Sequence, residues 1–222
     1  MEKRKILFGD YDTAERGWTL SAWQLSPAEQ KTNYVDIPGG NGTWDLSTVL
    51  TDGQPRYTDR ILTVSLERSD GDRLTRKTAI REIVNLLDGT RQKIMLPDDL
   101  DYYLTGRVSV AVDYNDPAHA SVALTAICSP WLYAQTARRY VCYAGGDEQT
   151  VTISNDGRLA VVPEITVEGS GAEVRLGYKD RTWQISEGVY VLPDLYLPPG
   201  TAELTYIGSG TITLTYREAV LE

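Results

Sequence analysis

The sequence predicts a mainly β protein of two sandwich-like domains, the first carrying one amphipathic α-helix. Three observations predict it: apolar residues that alternate with period two, turn residues at short intervals, and one stretch whose apolar residues recur at helical spacing.

Leu62, Val64 and Leu66 share one face of ILTVSLE, and Val108, Val110 and Val112 share one face of VSVAVDY. This is the pattern of strands with a single buried face. It returns in SVALTAIC, EITVEG, EVRLGY, TWQIS, AELTYIG and TITLTYRE, separated by Gly, Pro, Asn and Asp. Such spacing suits antiparallel pairing, because parallel strands need a longer, usually helical, crossover between them. LTRKTAIREIVNLLDG differs: Ile80, Ile83, Val84 and Leu87 recur at helical intervals, Arg76, Lys77, Arg81 and Glu82 are polar, and Gly89 stands where a left-handed C-terminal cap belongs. A helix this short is marginal alone in water, so its apolar stripe is expected to lie on a sheet. Pro130 in CSPWLY interrupts strand character before a new series of strands, which puts a boundary near residue 130 and domains at 1–130 and 131–222. In the second of these, NDG at 155–157, GSG at 169–171, PPG at 198–200 and GSG at 208–210 read as turns.

The 222 residues, 41% of them hydrophobic, are enough to bury ordinary cores. The apolar run near the basic start, Ile6-Leu7-Phe8, falls short of the roughly 7–15 residues of a signal peptide, so neither secretion nor membrane insertion is expected. A formal charge of −9 and a pI near 4.7 oppose the basic footprint of a protein that grips nucleic-acid phosphates. Cys128 and Cys142 form no CxxC and have no second pair for a zinc site, and read as two buried free thiols.

Gly39-Gly40-Asn41-Gly42 invites comparison with a phosphate-cradling loop. It lacks both G-x-G-x-x-G and a lysine after the glycines, and no helical stripe follows it. Asn41-Gly42 reads instead as a hairpin dipeptide, since both residues tolerate positive φ. Gly39→Val or Gly42→Val is then expected to disturb fold or assembly.

No catalytic, cofactor or metal site is assigned. His119, the only histidine, lies in the turn-rich DYNDPAHAS, where Ser121 and Cys128 offer nucleophiles without a recognisable triad. Asp98, Asp99 and Asp101, and the stretch Asp113 to Pro117, lack the ligand spacing of a calcium loop and read as turns and caps. No pair of carboxylates stands out as glycosidase machinery. Tyr178, Trp183, Tyr190 and Tyr196 could stack against a sugar, although strand faces favour the same aromatics.

One segment carries a resemblance. SPAEQKTNYVDIPGGNGTWDLSTVLTDGQPRYTDRILTVSLE resembles the N-terminal signature of the distal tail proteins of long-tailed, non-contractile bacteriophages and their prophages. Its elements stand here as Pro27, Lys31, Val35, Ile37, Pro38, Gly39, Gly42, Asp45, Leu46, Gly53, Arg60 and Ile61. YDTAERGWTLSAW is similar to that family's opening strand and bend, and REIVNLLDGTRQKIMLPDDLDYYLTGRVSV to the passage that closes its first domain. The second half is more loosely similar, and departs where the family's YRxG pattern meets Ala219. The resemblance implies a structural virion protein at the tail tip, made in the cytoplasm of the host bacterium. Six copies would form a ring at the distal end of the tail tube, joining the tube protein to the tail-tip protein and to receptor-binding proteins. DNA would pass through the ring without specific binding. It implies a galectin-like or carbohydrate-module-like second domain, with no cofactor, no membrane and no enzymatic activity. It gives Pro38, Gly39, Gly42, Asp45 and Arg60 structural or assembly roles. The alternative reading is a carbohydrate-binding module that attaches to host cell-wall glycans.

Overall fold

The computed structural model describes residues 4–51, 53–97, 99–113 and 119–221. Asp98 and residues 114–117 of the acidic stretches lie outside them. The fold is mainly β, and the chain divides into two units, Met1–Leu132 and Tyr133–Glu222.

In the first unit the strands are β1 (Leu7–Phe8), β2 (Tyr11–Asp12), β3 (Thr19–Leu25), β4 (Tyr34–Asp36), β5 (Thr43–Asp45), β6 (Arg60–Arg68), β7 (Arg91–Leu96), β8 (Asp99–Asp113) and β9 (Ala120–Cys128). Seven of them form an antiparallel sheet in the order β2-β1-β7-β8-β9-β6-β3, while β4 and β5 pair only with each other. The period-two pattern decides which face is buried. Leu62, Val64 and Leu66 sit opposite Ala126, Leu124 and Val122, which sit opposite Val108, Val110 and Val112. The intervening residues, such as Thr63, Thr125 and Ser109, are exposed.

Helix α1 (Arg73–Leu87) covers the apolar face of this sheet over β8 and β9 with Ala79, Ile80, Ile83 and Leu87. Each large side chain buried there contributes about 1.5–3 kcal/mol, which stabilises a helix too short to persist alone. Asp72 caps its start, accepting from the Thr75 N–H at 2.8 Å. Gly89 ends it with φ 72° and donates its N–H to the Val108 carbonyl, so the cap turns the chain straight into the sheet.

The remaining strands are β10 (Leu132–Ala134), β11 (Arg138–Gly145), β12 (Gln149–Asn155), β13 (Glu164–Glu168), β14 (Glu173–Tyr178), β15 (Arg181–Ser186), β16 (Gly188–Val191), β17 (Gly200–Tyr216) and β18 (Ala219–Val220). The second unit is organised by β17. Its first half pairs with β12 and β14, and its second half with β11 and β13. β15 extends one sheet beyond β14, and β16 extends the other beyond β13. The core between the sheets includes Ile153, Leu176 and Leu204 from one and Ile165, Ile212 and Leu214 from the other.

The turn expected at GSG 208–210 is instead a bend within a strand: AELTYIG and TITLTY belong to one strand of 17 residues. Gly208 and Gly210 have φ of 140° and 112°, so the strand bends from one sheet into the other without leaving either ladder. Strands that switch sheets at such corners are a recognised way of closing a sandwich. NDG at 155–157 is also more than a surface turn. Asn155 is 1% exposed; its amide donates to the Leu159 and Leu197 carbonyls, and its oxygen accepts from the Gly157 N–H. At the family's glycine position Ala219 is fully buried, in a separate short strand that follows the end of β17.

Candidate assembly surface

Residues 26–51 and 53–59 leave the first sheet between β3 and β6 as an arm, and its root is tied down. Arg60, 1% exposed, opens β6 and donates from Nε to the Ser26 carbonyl at 2.7 Å. Ser26 in turn donates its N–H to the Ile61 carbonyl and accepts the Ile61 N–H on Oγ. A buried guanidinium needs such partners, because an unpaired buried charge is strongly disfavoured. The proline and arginine positions of the family signature thus meet in space, with Pro27 following the residue that Arg60 holds. Further out, Thr58 N–H donates to Glu29, Lys31 N–H donates to Arg56, and the Tyr57 ring meets Trp131 edge-on at 5.5 Å.

Beyond the root, β4 and β5 form a two-stranded hairpin. Tyr34, Val35 and Asp36 face Asp45, Trp44 and Thr43 across it. Gly40 N–H donates to the Ile37 carbonyl at 3.0 Å, with Pro38 second and Gly39, at φ 71°, third in the turn. Proline followed by a positive-φ glycine is a type II turn. The hairpin turn expected at Asn41-Gly42 spans residues 38–42, with positive φ at Gly39 and Gly42. Gly42 has φ 85°, while Asn41 is not among the positive-φ residues. Asp45 accepts the Ser47 N–H at 2.9 Å, and its carboxyl is held below the usual range by hydrogen bonds from the Ser47 side chain and backbone.

A Cβ built on Gly39 or Gly42 meets nothing within 4 Å. Valine at either position therefore carries only the backbone strain, on the order of 1–3 kcal/mol and local to the hairpin. The expected outcome is faster amide exchange at Ile37 and Gly40 with the melting temperature of the first unit nearly unchanged. Native exchange rates in either variant would show that the positive φ carries no strain.

The outer part of the arm exposes a group of apolar side chains. Leu50 is 95% exposed, Val49 65%, Tyr34 59% and Trp44 57%, while Val35 and Leu46 are also exposed. A two-stranded hairpin is marginal by itself in water, and contiguous exposed apolar residues mark interaction sites. Sequence reasoning missed this group, since Val49-Leu50 lies between turn residues and gives no periodic signal.

The four aromatics proposed for sugar stacking are distributed rather than gathered. Tyr178 is buried and meets Tyr196 edge-on at 6.3 Å, and Lys179 Nζ lies over both rings. Tyr196 is exposed. Trp183 on β15 and Tyr190 on β16 are half-buried against the core, in different sheets. An open cleft of about 470 Å³ next to Tyr178 and Lys179 is lined also by Glu203 and Thr205. His119 is exposed, and Asp99 and Asp101 begin β8. Among the described residues no group of three or more His, Cys, Asp or Glu is placed to hold a metal ion. Cys128 and Cys142 are free and buried, and burial pushes the Cys128 thiol up to about 11, which makes it a poor nucleophile. No helix among the described residues is long and apolar enough to cross a membrane.

Compared by sequence, the chain matches no family model and no curated protein. Compared by structure, it is similar to the crystal structure of the SPP1 Dit protein, described as a paradigm of the hub adsorption apparatus in phages that infect Gram-positive bacteria. The TM-score is 0.70 at 15% identity, covering 96% of this chain and 98% of that one. Similarity extends to the phage P2 baseplate in its activated conformation, with Ca (TM-score 0.48, 11% identity, 98% of each chain) and with Sr (0.45, 11%, 97% of this chain and 96% of that one). The chain has the fold of a phage distal tail hub protein.

Proposed function

We propose that the protein is a structural component of a phage tail tip. In this reading six copies close into a ring at the distal end of the tail tube. The ring joins the tube to the tail-tip protein and to receptor-binding proteins, and leaves a channel that DNA traverses without specific binding. The chain is made in the cytoplasm of the host bacterium and works in the virion, by geometry rather than catalysis. The observation that carries this is the exposed apolar arm on a chain whose fold matches a hub protein over nearly its whole length. A cyclic ring needs heterologous contacts, one surface of each copy meeting a different surface of the next. An arm hydrogen-bonded at its root, with exposed apolar side chains further out, suits that role.

Electron microscopy of the purified protein at high concentration tests it. Class averages are expected to show six-fold rings with a central hole, and monomers at every concentration, with or without the tube protein, would sink the ring. Trp44→Ser with Leu50→Ser is expected to leave the melting temperature within a degree or two, since both side chains already face solvent, and to weaken self-association at least tenfold by sedimentation. Unchanged association would remove the arm from the interface.

Tyr196, exposed beside Lys179, favours a second reading, in which the second unit binds cell-wall glycans. Titration with host cell-wall polysaccharide, compared between wild type and Tyr196→Ala, separates the two.

A further inference from the structure

Helix α1 carries a charge arrangement that its own stability does not explain. Arg73, Lys77 and Arg81 are spaced four apart and exposed, so they form one row along the helix, with the 67%-exposed Leu74 beside it. Like charges at this spacing destabilise a helix. Of the row, Arg73 lies in the first turn, where a cation opposes the helix dipole and no acid within the turn offsets it. The other charged side chains of the helix are engaged elsewhere: Arg76 donates to the Gly71 carbonyl, and Glu82 is paired with Arg16 at 2.6 Å. In a chain of net charge −9, a concentrated basic row is a feature for meeting something acidic.

The arm has the complementary chemistry. Between Tyr34 and Leu50 it contains Asp36 and Asp45 and no Lys or Arg. The hairpin register pairs Tyr34 with Asp45 and Asp36 with Thr43, so by strand alternation Tyr34, Asp36 and Asp45 share one face while Val35 and Trp44 share the other. Asp36 and Asp45 are diagonal neighbours, about 7–8 Å apart at Cα. Successive cations of the helical row are about 6 Å apart along the axis. The two spacings, about 7–8 Å and about 6 Å, are close enough for flexible Lys and Arg side chains to bridge, and Tyr34 and Leu74 supply an apolar contact beside the charges. Within one copy neither surface covers the other, as both are exposed. From its root at Ser26 to its tip at Gly40 the arm spans up to roughly 45 Å at strand rise, enough to cross a neighbouring domain.

We propose that the arm of one copy docks on helix α1 of the next, with Asp36 and Asp45 on the row Arg73, Lys77 and Arg81 and Tyr34 against Leu74. This rests on the ring reading above and names the surface that receives the arm. The contact is heterologous, so repeating it carries each copy onto the next around a closed ring.

A charge-reversal cycle tests it by sedimentation velocity on the full chain. Lys77→Glu with Arg81→Glu, and separately Asp36→Lys, are each expected to weaken self-association about tenfold at unchanged melting temperature. Combining all three is expected to restore association to within a few-fold of wild type. Unchanged association in the helix variant, or failure of the combination to restore it, would overturn the docking while leaving the ring intact. A wild type that never associates would overturn both. If the helix variant assembles normally but loses retention of double-stranded DNA, the row serves nucleic acid and the docking is overturned.

Discussion

Gly208→Ala is expected to lower the stability of the second unit by about 3–5 kcal/mol, a large part of the 5–15 kcal/mol typical of a domain. Two costs combine. At φ 140° an L side chain is strained, by about 1–3 kcal/mol. The added Cβ would also overlap the Glu173 carbonyl oxygen and approach Val174 Cα at 2.9 Å. These are backbone atoms inside a ladder, where β14 pairs with β17 through Val174 and Gly208, and they cannot swing aside as a flexible side chain would. Overpacking of this kind costs about 1–3 kcal/mol more. Gly200→Ala is the control. Its φ is 93°, but its Cβ meets nothing within 4 Å, so only the backbone term of about 1–2 kcal/mol applies. Urea denaturation should place the Gly208 variant roughly 1–3 M below wild type and well below the Gly200 variant. Equal midpoints for the two would show that the strand can slide past the corner without cost.

Arg60→Ala should lower the stability of the first unit by about 3–4 kcal/mol, from the cavity left by a large buried side chain and from the Ser26 carbonyl losing its donor. That corresponds to a fall of roughly 10 °C or more in melting temperature. Because Arg60 holds the root of the arm, proteolysis between Ala28 and Thr58 should accelerate more than the global destabilisation predicts. Arg60→Lys should not rescue, since an ammonium lacks the planar array that reaches the carbonyl from Nε. Wild-type melting with wild-type cleavage would mean that Ser26 is held by its bonds to Ile61 alone.

The alternating strands and the helix were legible in the sequence because each buries one face, and burial on one face imprints its period. Ile80, Ile83 and Leu87 had no other arrangement that hid them all. The corner at Gly208 was not legible, since glycine serves a turn and a mid-strand bend by the same conformational freedom. Only the partners on either side, Val174 and Glu168, tell them apart. Arg60 could be singled out by its place in the signature, but its partner Ser26 lies 34 positions away and is a carbonyl that any residue would supply. The hairpin of the arm was legible from its turn residues, but its exposed apolar side chains were not: both faces are open, so Val35, Trp44 and Leu50 carry no burial pattern to read. The sugar-stacking aromatics could not be separated from core aromatics until Trp183 and Tyr190 were seen in opposite sheets.

The single strand shared by both sheets of the second unit also bears on how that unit comes apart. β17 contributes Leu204 and Tyr206 to one layer and Ile212 and Leu214 to the other, so neither layer can lose it and remain whole. Sub-global opening, in which one layer melts while its neighbour persists, has no intermediate available. The slowest amides of the two layers should exchange together, at the free energy of complete unfolding. The second unit then yields all at once or not at all.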